Sequence, residues 1–294
     1  MADVAQVERE IPLNLYRHGA PLLVRVLANR RLTPLDCANE VHHVTVQFPD
    51  GAFPFLEGQS AGMAPPGLNA RGRAHVPRLY SIACDRDGEA GLANTLSLCV
   101  KRVVFTTESG NEAHGLASNM LCDAQPGDEL PMTGPAGRDF VLPDEPTANY
   151  LLIATGTGVA PFRGFAERRA KWPQEGRGKM WLFFGVQTHG DALYADEWQA
   201  FAQDPDFRVT YAFSREEQTA DGRRMYVQDR MREAGEALVA FVRGGNTHVY
   251  ICGIKGMELG IEEAFGALAH AAGVSWPELR QELRLAGRWH LEVY

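Results

Sequence analysis

The stretch Tyr150-Leu-Leu-Ile-Ala-Thr155-Gly-Thr-Gly-Val-Ala-Pro161 decides the architecture of this 294-residue chain. Residues 150–154 form an unbroken apolar run, the pattern of a strand covered on both faces in a parallel sheet. Two glycines follow, and then Pro161, which suits a first helical turn because its missing N–H leaves no bond unmade. Glycines let a backbone approach a pyrophosphate, and a helix N-terminus presents free N–H groups to anionic oxygens. A tight strand–helix turn without a ligand would use the same residues, so both readings stay open here.

The pattern repeats outward. Residues 180–184, 208–213 and 248–252 are further apolar or β-branched runs, with helical stretches at 161–172 and 228–241. Strand–helix alternation predicts a doubly wound parallel sheet. Before the Pro- and acid-rich segment 143–146 the character changes. Short strand candidates at 21–26, 41–48, 78–83 and 95–105 are broken by Gly and Pro turns, as in an antiparallel barrel or sandwich. The expected division is an N-terminal extension (1–20), an antiparallel β domain (21–145) and an α/β domain (146–294).

Composition excludes several classes. The net charge is −8, against a nucleic-acid-binding surface, and no apolar run approaches a membrane span. The acidic N-terminus has neither the charge nor the apolar core of a targeting peptide. The five cysteines have no C-x-x-C spacing, which argues against a zinc or iron–sulfur site and suits free thiols in a reducing cytoplasm. His42 and His43 are adjacent in a strand, face opposite sides and do not suggest a shared metal.

Four constellations carry candidate chemistry. Ser214-Arg215 follows the third parallel strand, where an arginine rather than an acid accommodates a ribose 2′-phosphate, and Tyr226 after Arg224 can stack on adenine. This points to NADP, unless Glu216 and Glu217 simply pair with the arginines. Arg78-Leu-Tyr80-Ser81 offers a guanidinium, a flat ring and a hydroxyl, which a flavin dinucleotide needs, although an ordinary strand would read the same way. Gly115-Leu116-Ala-Ser118 opens a helix able to hold phosphate or merely capped. Cys252-Gly253 ends a buried strand, and the terminus Glu292-Val-Tyr294 invites either a docked strand with Tyr294 over something flat or plain core closure.

Taken in order, these strings resemble the plant-type ferredoxin–NADP reductases. The matches are Arg78-Leu-Tyr-Ser-Ile-Ala83, Leu98-Cys-Val-Lys-Arg102, residues 115–123, Pro126-Gly-Asp128, Thr133-Gly-Pro135 and Ala154-Thr-Gly-Thr-Gly-Val-Ala-Pro-Phe-Arg163. They continue through Phe184-Gly185, Ser214-Arg215-Glu216, Met225-Tyr226-Val-Gln228, Val249-Tyr-Ile-Cys-Gly-Ile-Lys-Gly-Met-Glu258 and Glu292-Val-Tyr294, so the resemblance runs from about Pro21 to the end.

The resemblance implies a two-domain protein, an antiparallel β-barrel that binds FAD followed by a doubly wound parallel-sheet α/β domain that binds NADP. It implies a flavin ring between Tyr80 and Tyr294, with Ser81 on its hydride-accepting nitrogen. Arg78, Gly115, Leu116 and Ser118 would hold the FAD pyrophosphate, and Phe105 would stack on its adenine where the family usually has Tyr. Cys99 and Lys101 would lie on the flavin-lining strand, with Lys101 reaching the NADP phosphates. Thr155 and Gly156 would meet the NADP pyrophosphate and nicotinamide, and Ser214, Arg215, Arg224 and Tyr226 the 2′-phosphate and adenine. Gln228, Gly253, Met257 and Glu258 fall in the matched NADP-side strings. Arg224 replaces a usual Lys and Ala117 a usual Cys. Cys252 and Glu292 would complete the nicotinamide site, giving Ser81, Cys252, Glu292 and Tyr294 as the catalytic group. The implied activity moves hydride from NADPH to flavin and single electrons onward to a ferredoxin or flavodoxin. Alternatives are an oxygenase component, as in reductases of the benzoyl-CoA oxygenase type, and a non-enzymatic FAD/NADP-binding sensor, which the retained catalytic residues disfavour.

Overall fold

The computed structural model describes residues 10–294; residues 1–9 of the expected extension lie outside the described residues. Strands β1 (Leu22–Arg31), β2 (Val41–Gln47), β3 (Ser60–Met63), β4 (Arg78–Ser81) and β5 (Thr95–Lys101) are followed by a small ribbon, β6 (Val104–Thr106) and β7 (Glu112–His114). Helix α1 (Leu116–Asp123) and β8 (Glu129–Ala136) complete the first half. Six of these strands form an antiparallel sheet in the order β4-β3-β8-β1-β2-β5. Its two edges meet: Ile82 bridges Leu98, and Ala83 N donates to Ser97 O at 2.8 Å. Closure removes the free strand edges, so the half is a barrel rather than a sandwich. Alternate residues point inward, and Val24, Val26, Val44, Val46, Leu96 and Leu98 fill the interior.

Two of the expected strand limits need correction. β1 runs to Arg31 rather than stopping at Val26, because a bulge between Val26 and Ala28 lets its polar end keep pairing with β2. The stretch expected as one strand at 95–105 breaks after Lys101. Arg102 is held by Glu40 through its backbone N–H (2.8 Å) and guanidinium (2.8 Å), and it also reaches Asn119 and Asp123 of α1. The chain therefore leaves the barrel wall and enters the β6–β7 ribbon.

The second half comprises β9 (Asn149–Thr155), α2 (Ala160–Ala170), β10 (Met180–Val186), α3 (Ala195–Phe201), β11 (Phe207–Phe213), α4 (Val227–Arg243), β12 (Thr247–Gly253), α5 (Met257–Ala271), α6 (Trp276–Leu285) and β13 (Trp289–Val293). All five strands are parallel, in the order β11-β10-β9-β12-β13. The α2 helix is entered through a 3₁₀ turn, Gly156–Val159, and α4 is interrupted at Gly235, so neither is the simple helix its pattern suggests. One face of the sheet packs under α4, α5 and α6. The other face is covered by α2 and α3 and continues into the barrel through Val41, Ala83 and Cys99, which share one apolar cluster with it.

A buried charge cluster crosses the same boundary. Arg163 of α2 donates to Ala83 O (2.8 Å) and pairs with Glu89 (2.9 Å), Glu167 (3.0 Å) and Glu197 (2.6 Å), with its guanidinium 5.3 Å from the Tyr194 ring centroid. Glu89 also faces His43 (3.2 Å), whose other ring nitrogen meets the Tyr194 hydroxyl at 3.0 Å. His42, one residue earlier, instead meets Asn29 and Glu40, on the opposite side of β2.

Candidate functional site

Parallel strands end their chains at one edge, and the loops that leave there diverge around a crevice. At the carboxyl edge of this sheet lies a cleft of about 440 Å³. Of the residues expected at a nucleotide site, Lys101, Thr155, Gly156, Ser214, Tyr226, Gln228, Met257 and Tyr294 line it. They arrive from both halves of the chain and from four different strand ends.

Local hydrogen bonding explains each placement. Ser214 N donates to Val186 O (2.9 Å) and Arg215 N to Gln187 O (2.8 Å), so the β10–β11 pairing continues past β11 and carries Ser214 to the cleft wall. A hairpin follows, closed by Met225 N on Glu217 O (3.2 Å) and by a Gln218–Arg224 bridge, which returns Tyr226 to the same wall. Thr155 is tied down by its hydroxyl, which accepts from Ile254 N at 3.1 Å and contacts Met257 Sδ at 3.2 Å. Gly253, outside the cleft lining, has φ +152°, and a Cβ there would fall 2.1 Å from the Thr155 hydroxyl oxygen, so the backbone packed against Thr155 admits no side chain. Glu258 accepts from Gly256 N (2.7 Å) and fixes the start of α5, outside the cleft lining.

The alternative pairing of the arginines with their acidic neighbours does not occur. Glu216 accepts from His189, through the backbone N–H (2.8 Å) and ring Nδ1. Glu217 binds Arg230 (2.6 Å) and accepts from Phe213 N (3.0 Å). Arg223, not Arg224, pairs with Asp221 (2.7 Å). Arg215 and Arg224 are exposed and form no ion pair among the described residues.

The C-terminal segment forms a docked strand. β13 docks parallel to β12 with Glu292 beside Cys252 and Val293 beside Gly253. Tyr294 N then donates to Gly253 O (3.0 Å), and Lys255 N donates to Tyr294 O (3.0 Å). The Tyr294 hydroxyl meets the Thr157 hydroxyl at 2.6 Å, while the side chain stays 60% exposed. Burial, with Glu292 alongside, pushes the Cys252 thiol well up, so it is a neutral S–H at neutral pH; burial also raises Glu292.

On the barrel, the expected residues are carried by β4, β6 and the start of α1, most of them at or near the surface. Arg78, Tyr80 and Ser81 lie on β4, with Tyr80 half-buried against the barrel core and its hydroxyl pushed up to about 12 by desolvation. Phe105 on β6 is 50% exposed and Leu116, at the start of α1, 56%. The α1 N-terminus has no side-chain cap, and a Cβ on Gly115 would fall 2.8 Å from Ser118 Oγ and 3.0 Å from Val103 Cβ. Uncapped N–H groups, a floor without a side chain and exposed flat or apolar side chains suit a dinucleotide. Cys99 stands apart from this surface. It is buried between the halves against Tyr194, and burial raises its thiol to about 12.

Several cleft residues carried no local signal in the sequence. Asn39, in the β1–β2 loop of the barrel, lines the cleft and donates to Asp191 at 2.7 Å across the domain boundary. Asp191 also accepts from Thr188 N (3.0 Å) and Thr188 Oγ1 (2.7 Å). Thr157, also in the lining, belongs to the Gly-rich turn, whose string is contiguous in the sequence.

Residues 152–263 match the family described as an oxidoreductase NAD-binding domain. Over 290 residues the chain is 42% identical to the ferredoxin–NADP reductase of Synechocystis sp., covering 97% of this chain and 70% of that protein. It is 40% identical over 292 residues to the chloroplastic leaf isozyme 1 of ferredoxin–NADP reductase from Arabidopsis thaliana, covering 98% and 81%. Among solved structures, the ferredoxin–NADP+ reductase of Plasmodium falciparum superposes with a TM-score of 0.78 at 25% identity, over 96% of this chain and 100% of that one. A variant of that protein was solved with 2′P-AMP and superposes with a TM-score of 0.76 at 25% identity, over 96% of this chain and 99% of that chain.

Proposed function

The chain belongs to the ferredoxin–NADP reductase family of oxidoreductases, and from that premise we propose that it passes electrons from NADPH through a bound FAD to a ferredoxin. The observation that carries this reading is the cleft in which Ser214, Tyr226, Thr155 and Tyr294 converge, with two unpaired guanidiniums, Arg215 and Arg224, beside it.

In this reading residues 21–145 hold FAD and residues 146–294 hold NADP. Arg78, Gly115, Leu116 and Ser118 bind the FAD phosphates, Phe105 stacks on the adenine, and Tyr80 and Tyr294 flank the ring near Ser81. When bound, the flavin supplies hydride acceptance and one-electron release. The protein contributes position and electrostatics. Ser214, Arg215, Arg224, Tyr226 and Gln228 hold the 2′-phosphate and adenine end, with Lys101 facing the phosphates. Thr155, Gly156, Gly253, Met257 and Glu258 shape the nicotinamide end. Cys252, fully buried beside Glu292 at the end of β12, keeps a neutral, small thiol. Burial raises the Glu292 carboxyl, so it keeps its proton to a higher pH than an exposed glutamate does. Tyr294 acts as a plug, held in place by Thr157 and released when nicotinamide enters.

The names of the relatives favour a ferredoxin over a flavodoxin or an oxygenase component as electron acceptor. Five free thiols fit a reducing compartment such as the cytoplasm. Among the described residues no helix is long and apolar enough to cross a membrane.

The test is steady-state reduction of a dye by NADPH and by NADH. Arg215→Ala should raise the KM for NADPH by about tenfold, the loss of a charge-assisted bond, and leave NADH unaffected. Tyr294→Ser should tighten NADP binding and narrow the preference over NADH. Equal losses for both nucleotides in Arg215→Ala would overturn the phosphate-binding role, and an unchanged preference in Tyr294→Ser would overturn the plug.

A further inference from the structure

A 2′-phosphate site carries a liability in this sequence. Glu216 directly follows Ser214-Arg215, in the turn where Glu216 N and Glu217 N both return to Phe213 O (3.1 and 2.9 Å). A carboxylate free to swing there would pair with Arg215 or repel the phosphate, and an acid at this corner is the arrangement that suits a bare ribose 2′-hydroxyl. The structure contains a specific restraint on it. Both the backbone N–H and the ring Nδ1 of His189 hold one oxygen, Oε2, of Glu216.

The exposed His189 ring is positioned by its neighbours. Its ring stacks on Phe213, with centroids 3.8 Å apart and planes 20° apart. Its backbone opens a one-turn 3₁₀ segment, His189–Asp191, closed by a reciprocal cap between Thr188 and Asp191. Asp191 is in turn bound by Asn39 of the barrel at 2.7 Å. The backbone of the clamp is therefore anchored through both domains, while both side chains of the pair are exposed, His189 at 71% and Glu216 at 38%.

We propose that His189 is a specificity-determining positioning residue, which keeps the Glu216 carboxylate off the Ser214/Arg215 subsite and so reserves that subsite for the 2′-phosphate of NADPH. The second neighbouring acid is removed in parallel, since Glu217 is bound to Arg230 and to Phe213 N. Local sequence puts two acids beside the phosphate-binding residues, and tertiary contacts draw both away. The inference rests on the NADP reading above, and it adds a residue that touches neither nucleotide nor flavin.

The experiment compares the wild type with His189→Ala, Glu216→Gln, the double variant and Arg215→Ala, each as purified FAD-loaded protein, by the kcat/KM ratio of NADPH to NADH. His189→Ala should lower that ratio by about fivefold through a higher KM for NADPH, with NADH turnover unchanged. Adding Glu216→Gln to His189→Ala should restore the ratio, because the offending charge is gone. A His189→Ala variant with an unchanged ratio, or with equal losses for both nucleotides, overturns the proposal. So does a selective loss that Glu216→Gln fails to repair, which would make His189 a direct ligand. Arg215→Ala separates the two levels: if it leaves the ratio intact the NADP reading itself fails, whereas a collapsed ratio in Arg215→Ala beside an intact one in His189→Ala sinks the clamp alone.

Discussion

Two arginine sites in the α/β domain use the same side chain to opposite ends. Arg163 is buried at the barrel boundary and surrounded by Glu89, Glu167 and Glu197. Arg215 and Arg224 are exposed at the cleft rim, and the acids next to Arg215 in sequence are bound elsewhere. A guanidinium whose donors are all spent within the protein holds structure together, and one whose donors are left over is available to a ligand. Residue type does not separate the two cases, since Arg163 stands in a motif-rich string and Arg215 in an acidic one. The partners each side chain finds do separate them.

The largest effect should come from breaking the closed site. Arg163→Ala leaves three carboxylates facing one another in a buried place, and unfolding in urea should reveal a loss of ~3–5 kcal/mol. Because the site joins the two halves, turnover with NADPH and NADH should fall together; a selective loss would contradict its structural role.

A smaller and pH-dependent effect belongs to Glu167. Burial, opposed by Arg163 and the Asp85 N–H and reinforced by Glu89 and Asp85, raises its carboxyl from the ordinary 4.5 to about 7. The folded protein then keeps a proton that the unfolded chain releases, so this group's stabilisation is complete below pH 4.5 and is lost as pH rises through 7. Glu89 has the opposite sign. Despite its burial, His43 and Arg163 lower it to about 2, so its contribution is lost as pH falls from 4.5 through that value. Glu167→Gln should remove the decline between pH 5 and 7, worth up to about 3 kcal/mol, visible as a flattened urea midpoint over that range. A slope like that of the wild type would assign the decline to another group.

The open site should respond least in stability. Arg224→Lys keeps the charge and loses the planar fork, so NADPH affinity measured by difference titration should weaken by about two- to threefold with the melting temperature unchanged. A shift in melting temperature would mean that Arg224 serves the fold after all.

Much of the fold was legible because it rests on period and punctuation. The apolar runs at 150–154, 180–184 and 248–252 became β9, β10 and β12, and the C-terminal Glu292 and Val293 joined a docked parallel strand that ends just before Tyr294. Reading failed where a local pattern is overridden by distant partners. The run from 95 to 105 looks continuous, yet Arg102 is captured by Glu40 and α1 and the strand ends. β1 continues past its apolar part because β2 supplies hydrogen bonds to residues of any polarity. The candidate site divides the same way. Strings such as Thr155-Gly156 and Ser214-Arg215 are contiguous and readable, whereas Asn39, Asp191 and His189 enter through contacts between elements far apart in the chain.

The sequence by itself determined the two-part architecture, the Gly-rich turn between strand and helix, and a family resemblance spread across both halves. Hydrophobic period and backbone permissiveness are local properties, so they survive in a linear reading. Tertiary structure alone decided which charges are spent and which remain free, because an ion pair depends on where the chain brings its partner. Arg163 became a buried joint, Arg215 and Arg224 stayed open, and His189 took hold of the acid beside them.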